Sequence, residues 1–444
     1  MDWRNKLKNC VVCKFGGSSL SEAEQFRKVK SIILSDNRRK YIIPSAPGKR
    51  NTNDYKITDL FYLCHSHVKQ NIPFDDVFSI ISVRYNEIVN ELNISLDINR
   101  HLGQIKSNIK NESSIDYVIS RGEYLNGLIL SCFLGFEFVD AKDIIIFNKF
   151  GILDLELSRS LINKRISKLS NAIVPGFYGA TLDGEIKTFP RGGSDITGSL
   201  ISYAVNAGLY ENWTDVCGFL MADPRIIKDP QSIKYITYEE LRKLSYMGAT
   251  VLHKDSISYV MEVDIPINIK NTNLPEDIGT IIVRHVDDCV NRNIITGIAG
   301  KKNVTLITIK KHLINCELES RIKLLSIITD IGLKFENISS GIDSISIIFD
   351  EENIDDLIDS IVDEIEKQCS PDSIKVYSKI SLVTIVSQEL WTTKNFYSKI
   401  FSSLDKKQIN VKMINQNFNE IYIILGIENS DFEMAIQSIY ETFT

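Results

Sequence analysis

Hydrophobic and polar positions divide the chain into two parts that differ in the length and order of their elements. Between about residues 9 and 290, short apolar strands alternate with helical stretches. Such alternation predicts a largely parallel sheet with helices packed on its faces. The predicted strands include 41–43, 138–139 and 265–269, and the predicted helices include 21–34 and 193–207.

After Asn293 the elements become shorter, and their order repeats. The first repeat has the pattern of a βαββαβ unit in which each helix has one apolar face. Its predicted elements are strand 304–309, helix 318–328, strands 334–339 and 344–349, helix 354–365 and strand 374–377. The second repeat consists of strand 382–386, helix 396–404, strands 411–414 and 421–425, and helix 432–443.

The second repeat is one strand short of the first. Without that strand, its sheet would end in an edge with unpaired backbone groups. The apolar segment 294–299 has no other assignment and can supply the missing strand. We therefore predict that the first repeat is inserted within the second.

Composition narrows the class of protein. The chain has 444 residues, of which 43% are hydrophobic, and this is enough for about two to four domains with their own cores. A formal net charge of -6 argues against a broad nucleic-acid-binding surface. No apolar run reaches about 18 residues, and no signal-like apolar segment follows Met1. We expect a cytoplasmic protein with neither a nucleic acid nor a membrane as its partner.

The stretch CVVCKFGGSS, residues 10–19, places a charge and two glycines at the end of an apolar strand. Lys14 would bring a positive charge, and the backbone N–H groups of Gly16, Gly17 and Ser18 would be open to a ligand, an arrangement that suits phosphate. Residues 21–24 match a capping box that would begin the next helix. The alternative is a surface lysine beside an ordinary turn, and the chain contains neither the P-loop nor the Rossmann glycine signature.

Three further polar clusters follow predicted elements. Residues 189–198 place Arg191, two glycines and Asp195 at the start of a helix, where Arg191 can bind a carboxylate through two hydrogen bonds. Asp195 could also hold the lysine of the first motif in place. Residues 121–123 form a second cluster, and residues 212–216 end a strand on polar groups that could hold a ribose or a base. Each cluster alone could be a capped surface turn, but together they indicate a ligand site.

The motifs KFGGSS, PSAPG, SRGE, PGFYGA, RGGSD, TDV with ADPR, GATVLH and IKNTNLPEDIGTII occur in the order found in aspartate kinases. The chain thus resembles that family of the amino-acid kinase superfamily over essentially its whole length. The resemblance implies an α/β fold, with a three-layer αβα catalytic domain and a mainly parallel sheet at 1–293. A regulatory region at 294–444 would hold two βαββαβ ACT domains, with about 303–378 inserted between strand 294–299 and 380–444. No homoserine dehydrogenase half follows Thr444, so a monofunctional enzyme is expected.

The activity that the resemblance implies is transfer of a phosphoryl group from Mg-ATP to the side-chain carboxylate of L-aspartate. The acceptor is already ionised near neutral pH, so no general base is needed, and catalysis becomes positioning and charge stabilisation. We expect Lys14 to stabilise the transferred group, Asp195 to orient Lys14, and the residues of the glycine motif to hold phosphate oxygens. By motif, aspartate would contact Ser45, Glu123 and Arg191, and the nucleotide would contact Thr214, Asp215, Asp223 and Arg225.

Several positions depart from the family pattern. Thr250 stands where relatives often have a lysine near the phosphates, and Cys217 and Leu220 replace an Asp and a Tyr beside the nucleotide. Mg²⁺ or Lys254 could compensate for the lost lysine. The sequence does not assign the residues that contact Mg²⁺, and activity is still expected.

Regulation is expected to act through the ACT repeats. ACT domains of this kind generally assemble across a two-fold axis, so we expect a homo-oligomer, at least a dimer, that is inhibited by an end product such as lysine. Effector contacts are expected from four polar residues of the first repeat, whose carboxylates suit an ammonium group. These residues are Glu336, where lysine-sensitive relatives usually have Asp, Ser339, Ser340 and Asp343. The alternatives are a catalytically idle ACT-type amino-acid sensor and a related kinase that acts on glutamate or another carboxylate.

Overall fold

The strands of the first part of the chain form one eight-stranded sheet and one small three-stranded sheet. The computed structural model describes residues 10–111, 113–190, 192–247, 257–286, 293–312, 314, 318–333, 335–350, 354 and 357–444. The strands are β1 (Val11–Phe15), β2 (Arg39–Pro44), β3 (Glu137–Phe138), β4 (Ile146–Phe147), β5 (Ala172–Ile173), β6 (Tyr178–Thr181), β7 (Ile186–Thr188), β8 (Leu209–Thr214), β9 (Tyr235–Thr237), β10 (Ile267–Asn271) and β11 (Thr280–Val283).

The large sheet has the strand order β3-β5-β2-β1-β8-β10-β11-β9. All its neighbouring strands are parallel except β10 and β11. The small sheet has the order β4-β6-β7. The prediction of a mainly parallel sheet is therefore confirmed.

Helices pack on both faces of the large sheet. They are α1 (Ala23–Leu34), α2 (Ile57–Lys69), α3 (Asp75–Leu92), α4 (Ile98–Lys110), α5 (Ile115–Leu134), α6 (Leu155–Ile166), α7 (Gly193–Ala204), α8 (Tyr238–Tyr246) and α9 (Ser258–Glu262). Val11, Cys13 and Phe15 of β1 join a core with apolar residues of α1 to α5. Because side chains alternate along a strand, Lys14 points to the opposite face, where α7 packs.

The start of α1 differs from the sequence prediction. The helix begins at Ala23 with Glu22 as its N-cap, and no side chain caps it. Ser21 instead donates its hydroxyl to the carbonyl of Ser18, because residues 18–20 already form a short 3-10 helix. The predicted capping box at residues 21–24 is therefore wrong.

The repeats at the end of the chain share one antiparallel six-stranded sheet with the order β13-β14-β12-β15-β17-β16. Its strands are β12 (Gly297–Lys310), β13 (Phe335–Ser340), β14 (Ser344–Asp350), β15 (Ser373–Val386), β16 (Met413–Asn415) and β17 (Tyr422–Glu428). Its helices are α10 (Leu318–Ile331), α11 (Ile358–Cys369), α12 (Phe396–Lys406) and α13 (Phe432–Phe443).

The strands β12 and β15 each take part in both repeats. The first half of β12, Gly297 to Lys301, pairs with Val386 to Leu382, the opening strand of the second repeat. The segment at residues 294–299 was predicted to make this pairing with the second repeat, and residues 297–299 do so. The second half of β12 pairs with β14 and with the first half of β15.

The strands predicted separately at 374–377 and 382–386 are one continuous strand, β15. No glycine or proline lies between them, so no residue there favours the end of a strand. The register of β12 against this part of β15 shifts between Lys301 and Val304, and Asn303 and Lys379 adopt φ angles of 58° and 59°.

Contacts divide the chain into two units. One comprises Met1–Phe219, Ser232–Leu241 and Thr250–Val290, and the other comprises Leu220–Gln231, Arg242–Ala249 and Asn291–Thr444. The short segments 220–231 and 242–249 therefore group with the repeats, which the sequence did not predict. Within the described ranges, no helix has the length and apolar character needed to cross a membrane.

Candidate active site

Neighbouring strands bring a lysine and an asparagine together at the centre of the large sheet. In the parallel register of β1 and β8, Lys14 lies beside Asn212. Lys14 Nζ lies 2.7 Å from Asp195 Oδ1 and 3.3 Å from Asn212 Oδ1, and Asn212 Nδ2 donates to Asp195 Oδ1 at 2.9 Å. The ammonium group has three N–H donors, so its two partners among the described residues leave one donor for a ligand.

Helix α7 holds Asp195 over this pair because it lies close to β8. Gly198 faces the ring of Tyr210, and a Cβ atom at this glycine would lie 2.5–2.7 Å from ring and hydroxyl atoms. The Tyr210 hydroxyl donates to the carbonyl of Asp195 at 3.2 Å. The helix begins after Gly192, whose φ of 77° favours glycine. The Lys14–Asp195 contact that the sequence suggested is therefore present, and Asn212 is a third member that sequence reasoning missed.

The glycine motif turns sharply after Lys14. The amide of Gly16 donates to the carbonyl of Trp213 at 2.9 Å, and the amides of Ser19 and Leu20 donate back to the carbonyls of Gly16 and Gly17. The amides of Gly17 and Ser18 therefore precede the first hydrogen-bonded turn, where N–H groups have no partner within the helix. This geometry suits an anion next to the Lys14 ammonium group.

A second loop, residues 45–48, lies directly against the glycine motif. The amide of Gly48 donates to the carbonyl of Gly17 at 2.8 Å, and a Cβ atom at Gly17 would lie 2.8 Å from the carbonyl oxygen of Ala46. Ser45 is held through its backbone, since its amide donates to Phe15 and its carbonyl accepts from Asn126 Nδ2. The loop that contains Ser45 is thus fixed close to the strand that carries Lys14.

Glu123 is a buried carboxylate, only 5% exposed, in the middle of α5. Burial raises its pKa to about 8, although amide donors, including that of Ala46, and the charge of Arg121 oppose the rise. Its Oε2 atom has no hydrogen-bond partner among the described residues. A buried, unpaired carboxylate oxygen is costly, so this site is complementary to a cationic ligand group.

Thr214 and Asp215 lie together at the end of β8, where the Thr214 hydroxyl donates to Asp215 at 3.1 Å. Asn271, the last residue of β10, and Thr272, which follows it, organise this strand end. The Asn271 side chain donates to the carbonyl of Asp215 and to Cys217 Sγ, both at 3.2 Å. The amide of Thr272 donates to the Thr214 carbonyl, and its hydroxyl lies 2.7 Å from that of Ser19.

The motif IKNTNLPEDIGTII contained Asn271 and Thr272, but sequence reasoning gave neither residue a role. Their hydrogen bonds connect the end of β8 with the turn after the glycine motif. The only sequence signal for them was the motif itself.

Two further predicted nucleotide residues, Asp223 and Arg225, form an ion pair with each other. Asp223 and Arg225 belong to the unit that contains the repeats, where Arg225 Nε donates to Asp223 Oδ1 at 3.0 Å. Arg191, Thr250 and Lys254 lie outside the described residues. In the part of the chain that the structure describes, no cluster of three or more His, Cys, Asp and Glu side chains could hold a metal ion.

The four predicted effector residues lie on β13 and on the turn that follows it. Glu336 pairs with Lys301 Nζ at 2.8 Å and accepts a hydrogen bond from Tyr246. Ser339 and Ser340 are adjacent on the strand and point to opposite faces. Ser340 accepts from Arg321 at 3.4 Å, and Asp343 lies 3.6 Å from His312. The four side chains therefore do not converge on one point.

Comparison with known proteins assigns both parts of the chain. A profile of the amino acid kinase family matches residues 9–271, and a profile of the ACT domain matches residues 383–443. Aspartokinase 3 of Bacillus subtilis (strain 168) is 32% identical over 450 residues, which cover 97% of this chain and 98% of that protein.

Solved structures agree with this assignment. The crystal structure of aspartate kinase from Clostridium acetobutylicum, described as an allosteric enzyme, is 54% identical, with a TM-score of 0.93 and coverage of 98% of this chain and 100% of that chain. Two structures of E. coli aspartokinase III have the same fold, and each match covers 98% of this chain and 99% of that chain. The complex with aspartate and ADP is 22% identical, with a TM-score of 0.72. The complex with lysine and aspartate is 21% identical, with a TM-score of 0.73.

The predicted resemblance and fold class are confirmed by these matches. The family profile covers more than half of the chain, and the Bacillus subtilis relative matches it over nearly its full length. The chain belongs to the amino acid kinase family, and within it to the aspartokinases, ATP-dependent kinases that carry an ACT regulatory domain.

Proposed function

We propose that this aspartate kinase phosphorylates the side-chain carboxylate of L-aspartate, which is the first step towards lysine, threonine and methionine, and that it does so in the cytoplasm. A carboxylate oxygen attacks the γ-phosphorus of ATP while the bond from that phosphorus to the bridging oxygen of ADP breaks. The products are 4-phospho-L-aspartate and ADP. The attacking group is an anion near neutral pH, so no base has to remove a proton.

The observation that carries the proposal is the buried carboxylate of Glu123. Its Oε2 atom has no hydrogen-bond partner in the part of the chain that the structure describes, and burial raises its pKa to about 8. The ammonium group of an amino-acid substrate would supply the missing charge and hydrogen bond. Ser45 and Arg191 are proposed to complete the aspartate site, with Arg191 on the α-carboxylate.

Lys14 is proposed to stabilise the transferred phosphoryl group. Two anions must meet in line, so the principal contribution of the protein is a fixed positive charge at the point of transfer. Asp195 and Asn212 hold the ammonium group of Lys14 through contacts of 2.7 and 3.3 Å. Gly16, Gly17 and Ser18 would hold phosphate oxygens through their backbone. The nucleotide contacts are proposed for Thr214, Asp215, Asp223 and Arg225.

Mg²⁺ is proposed to enter with the nucleotide. Since the described residues contain no cluster of three or more ligating side chains, a site made only of protein groups does not fit. A site made of one or two carboxylates together with phosphate oxygens does fit, because Mg²⁺ commonly binds in this way. The exposed carboxylate of Asp215 at the end of β8 could supply such a ligand. Bound Mg²⁺ would screen the negative charge of the phosphates.

The regulatory region is proposed to comprise residues 294–444, after a catalytic domain at 1–293, with about 303–378 inserted between 294–299 and 380–444. We propose that its ACT repeats join copies of the chain into a homo-oligomer and bind lysine as an inhibitor. The complex of E. coli aspartokinase III with lysine supports an amino-acid effector. Glu336, Ser339, Ser340 and Asp343 remain the proposed contacts. Because Lys301 already pairs with Glu336, lysine would have to displace that side chain or bind beside it.

A coupled assay of ADP release tests the proposal. With ATP and Mg²⁺ present, aspartate should support turnover and glutamate should not. A catalytically idle sensor would bind an amino acid and release no ADP with either substrate. A glutamate kinase would reverse the preference.

A further inference from the structure

The glycine motif and the loop at residues 45–48 form one back-to-back structure. The amide of Gly48 donates to the carbonyl of Gly17, and a Cβ atom at Gly48 would lie 2.7 Å from the carbonyl carbon of Gly17. Any separation of these backbones would change the distance between the proposed phosphate cradle and the proposed aspartate site. The spacing of the two loops is therefore a critical dimension of the active site.

Arg84 of α3 contacts the backbone of both loops. Its side chain is 3% exposed, and its NH1 group lies 3.3 Å from the carbonyl oxygen of Gly48 and 3.4 Å from that of Ser21. Ser21 follows the 3-10 turn of the glycine motif, and Gly48 ends the second loop. One planar guanidinium group thus donates to carbonyl oxygens of two chain segments that lie side by side.

Asp54 neutralises this buried guanidinium group. Arg84 NH2 contacts both carboxylate oxygens of Asp54, at 2.7 and 2.6 Å, and the carboxylate is 9% exposed. Burial alone would raise the pKa of Asp54, but hydrogen bonds from Arg50 and Tyr55 and the charge of Arg84 hold this pKa well below its ordinary value. Asp54 therefore stays ionised throughout the physiological range of pH.

We infer that Arg84 is a positioning residue, which sets the spacing between the glycine motif and the loop at residues 45–48. Asp54 compensates the positive charge of Arg84. The inference rests on the proposed roles of the two loops. In-line transfer depends steeply on alignment, and a displacement of about 1 Å can cost about 100-fold in rate. A lysine cannot replace Arg84, because a single ammonium group does not reproduce the planar fork that reaches Asp54 and both carbonyls.

The test compares Arg84→Lys with Arg39→Lys. Arg39 is a matched control, since it is also an arginine with little exposure (its side chain is 11% exposed) and two hydrogen bonds to a carboxylate, that of Glu211. Its other hydrogen bonds go to Ile32 and Ser35, outside both loops. We expect both variants to lose similar stability in urea unfolding. Only Arg84→Lys should lose kcat, by about 10- to 100-fold, with KM for ATP changed less than about threefold.

A second variant removes the charges together. Asp54→Asn combined with Arg84→Gln leaves no buried unpaired charge, so it should fold even if Arg84→Lys does not. If Arg84 sets the spacing, this double variant should show the same loss of kcat. Recovery of wild-type kcat would mean that the pair only compensates charge and would overturn the inference. If Arg84→Lys has normal kcat while Lys14→Ala is inactive, the inference about Arg84 is wrong and the proposed function stands. If Lys14→Ala is active, the proposed function itself is overturned.

Discussion

Replacing Glu123 with glutamine should stabilise the protein and weaken its binding of aspartate. Glutamine has nearly the same shape, and its amide oxygen can keep the hydrogen bond from the Ala46 amide. What it removes is a carboxylate whose pKa rises from 4.5 to about 8 on burial and whose Oε2 atom has no hydrogen-bond partner among the residues with described positions. The free energy of unfolding of the free protein should increase with this change, while the proposed contact with the substrate ammonium group should be lost.

The magnitude follows from proton linkage. A carboxyl group with a raised pKa in the folded state binds more protons when folded than when unfolded, so the wild-type protein loses stability as pH rises from about 4.5 through about 8. The loss should approach about 1.4 kcal/mol per pH unit within this range, or about 5 kcal/mol over the whole range as an upper value. The glutamine variant cannot titrate at this position, so the difference between the proteins should grow with pH.

Urea unfolding at pH 5, 6, 7 and 8 measures this difference, and initial rates measure KM for aspartate. Glu211→Gln is the matched control, because Glu211 is also buried but pairs with Arg39, and its replacement should destabilise the protein. A free-energy difference between wild type and Glu123→Gln that does not change with pH would refute the electrostatic reasoning. An unchanged KM for aspartate would refute the role of Glu123 in substrate binding.

Three further predictions concern the phosphoryl site, the sheet and regulation. Lys14→Ala should lower turnover about 10²- to 10³-fold, while its circular dichroism spectrum stays that of the wild-type protein. Near-normal turnover at saturating ATP would contradict the role of Lys14. Deletion of residues 294–299 should expose the edge of β15 that pairs with β12 and promote aggregation, as measured by light scattering, whereas a soluble monodisperse product would count against this account. Lysine at millimolar concentration should raise the apparent KM for aspartate. Glu336→Ala should weaken this effect of lysine without changing the rate measured in the absence of lysine. Inhibition by threonine alone would mean that lysine is not the effector.

The sequence predicted the parts of the site that motifs encode. The pairing of Lys14 with Asp195 was suggested by two glycine motifs, and the structure places the two side chains 2.7 Å apart. Asn212 was missed because its role depends on the register of β1 against β8, which no local pattern records. Arg84 was missed for a related reason, since a single charged position on an otherwise amphipathic helix gives no sign of its distant partners.

The fold was predicted in outline, and its errors have local causes. The pairing of β12 with the second repeat followed from counting strands, because an open sheet edge must find a partner. The sequence does not predict that β15 continues through residues 378–381, because the pattern changes there from one repeat to the next. The capping box at residues 21–24 failed because a short 3-10 turn precedes the helix and engages Ser21.

Trapping of the product with hydroxylamine tests the central claim most directly. An acyl phosphate reacts with hydroxylamine to give a hydroxamate and phosphate, so the coloured iron complex of the hydroxamate reports transfer to a carboxylate. The account predicts hydroxamate that requires both ATP and aspartate, that does not form with glutamate, and that falls at least 100-fold in Lys14→Ala. Release of ADP without hydroxamate, or equal hydroxamate from glutamate, would contradict it.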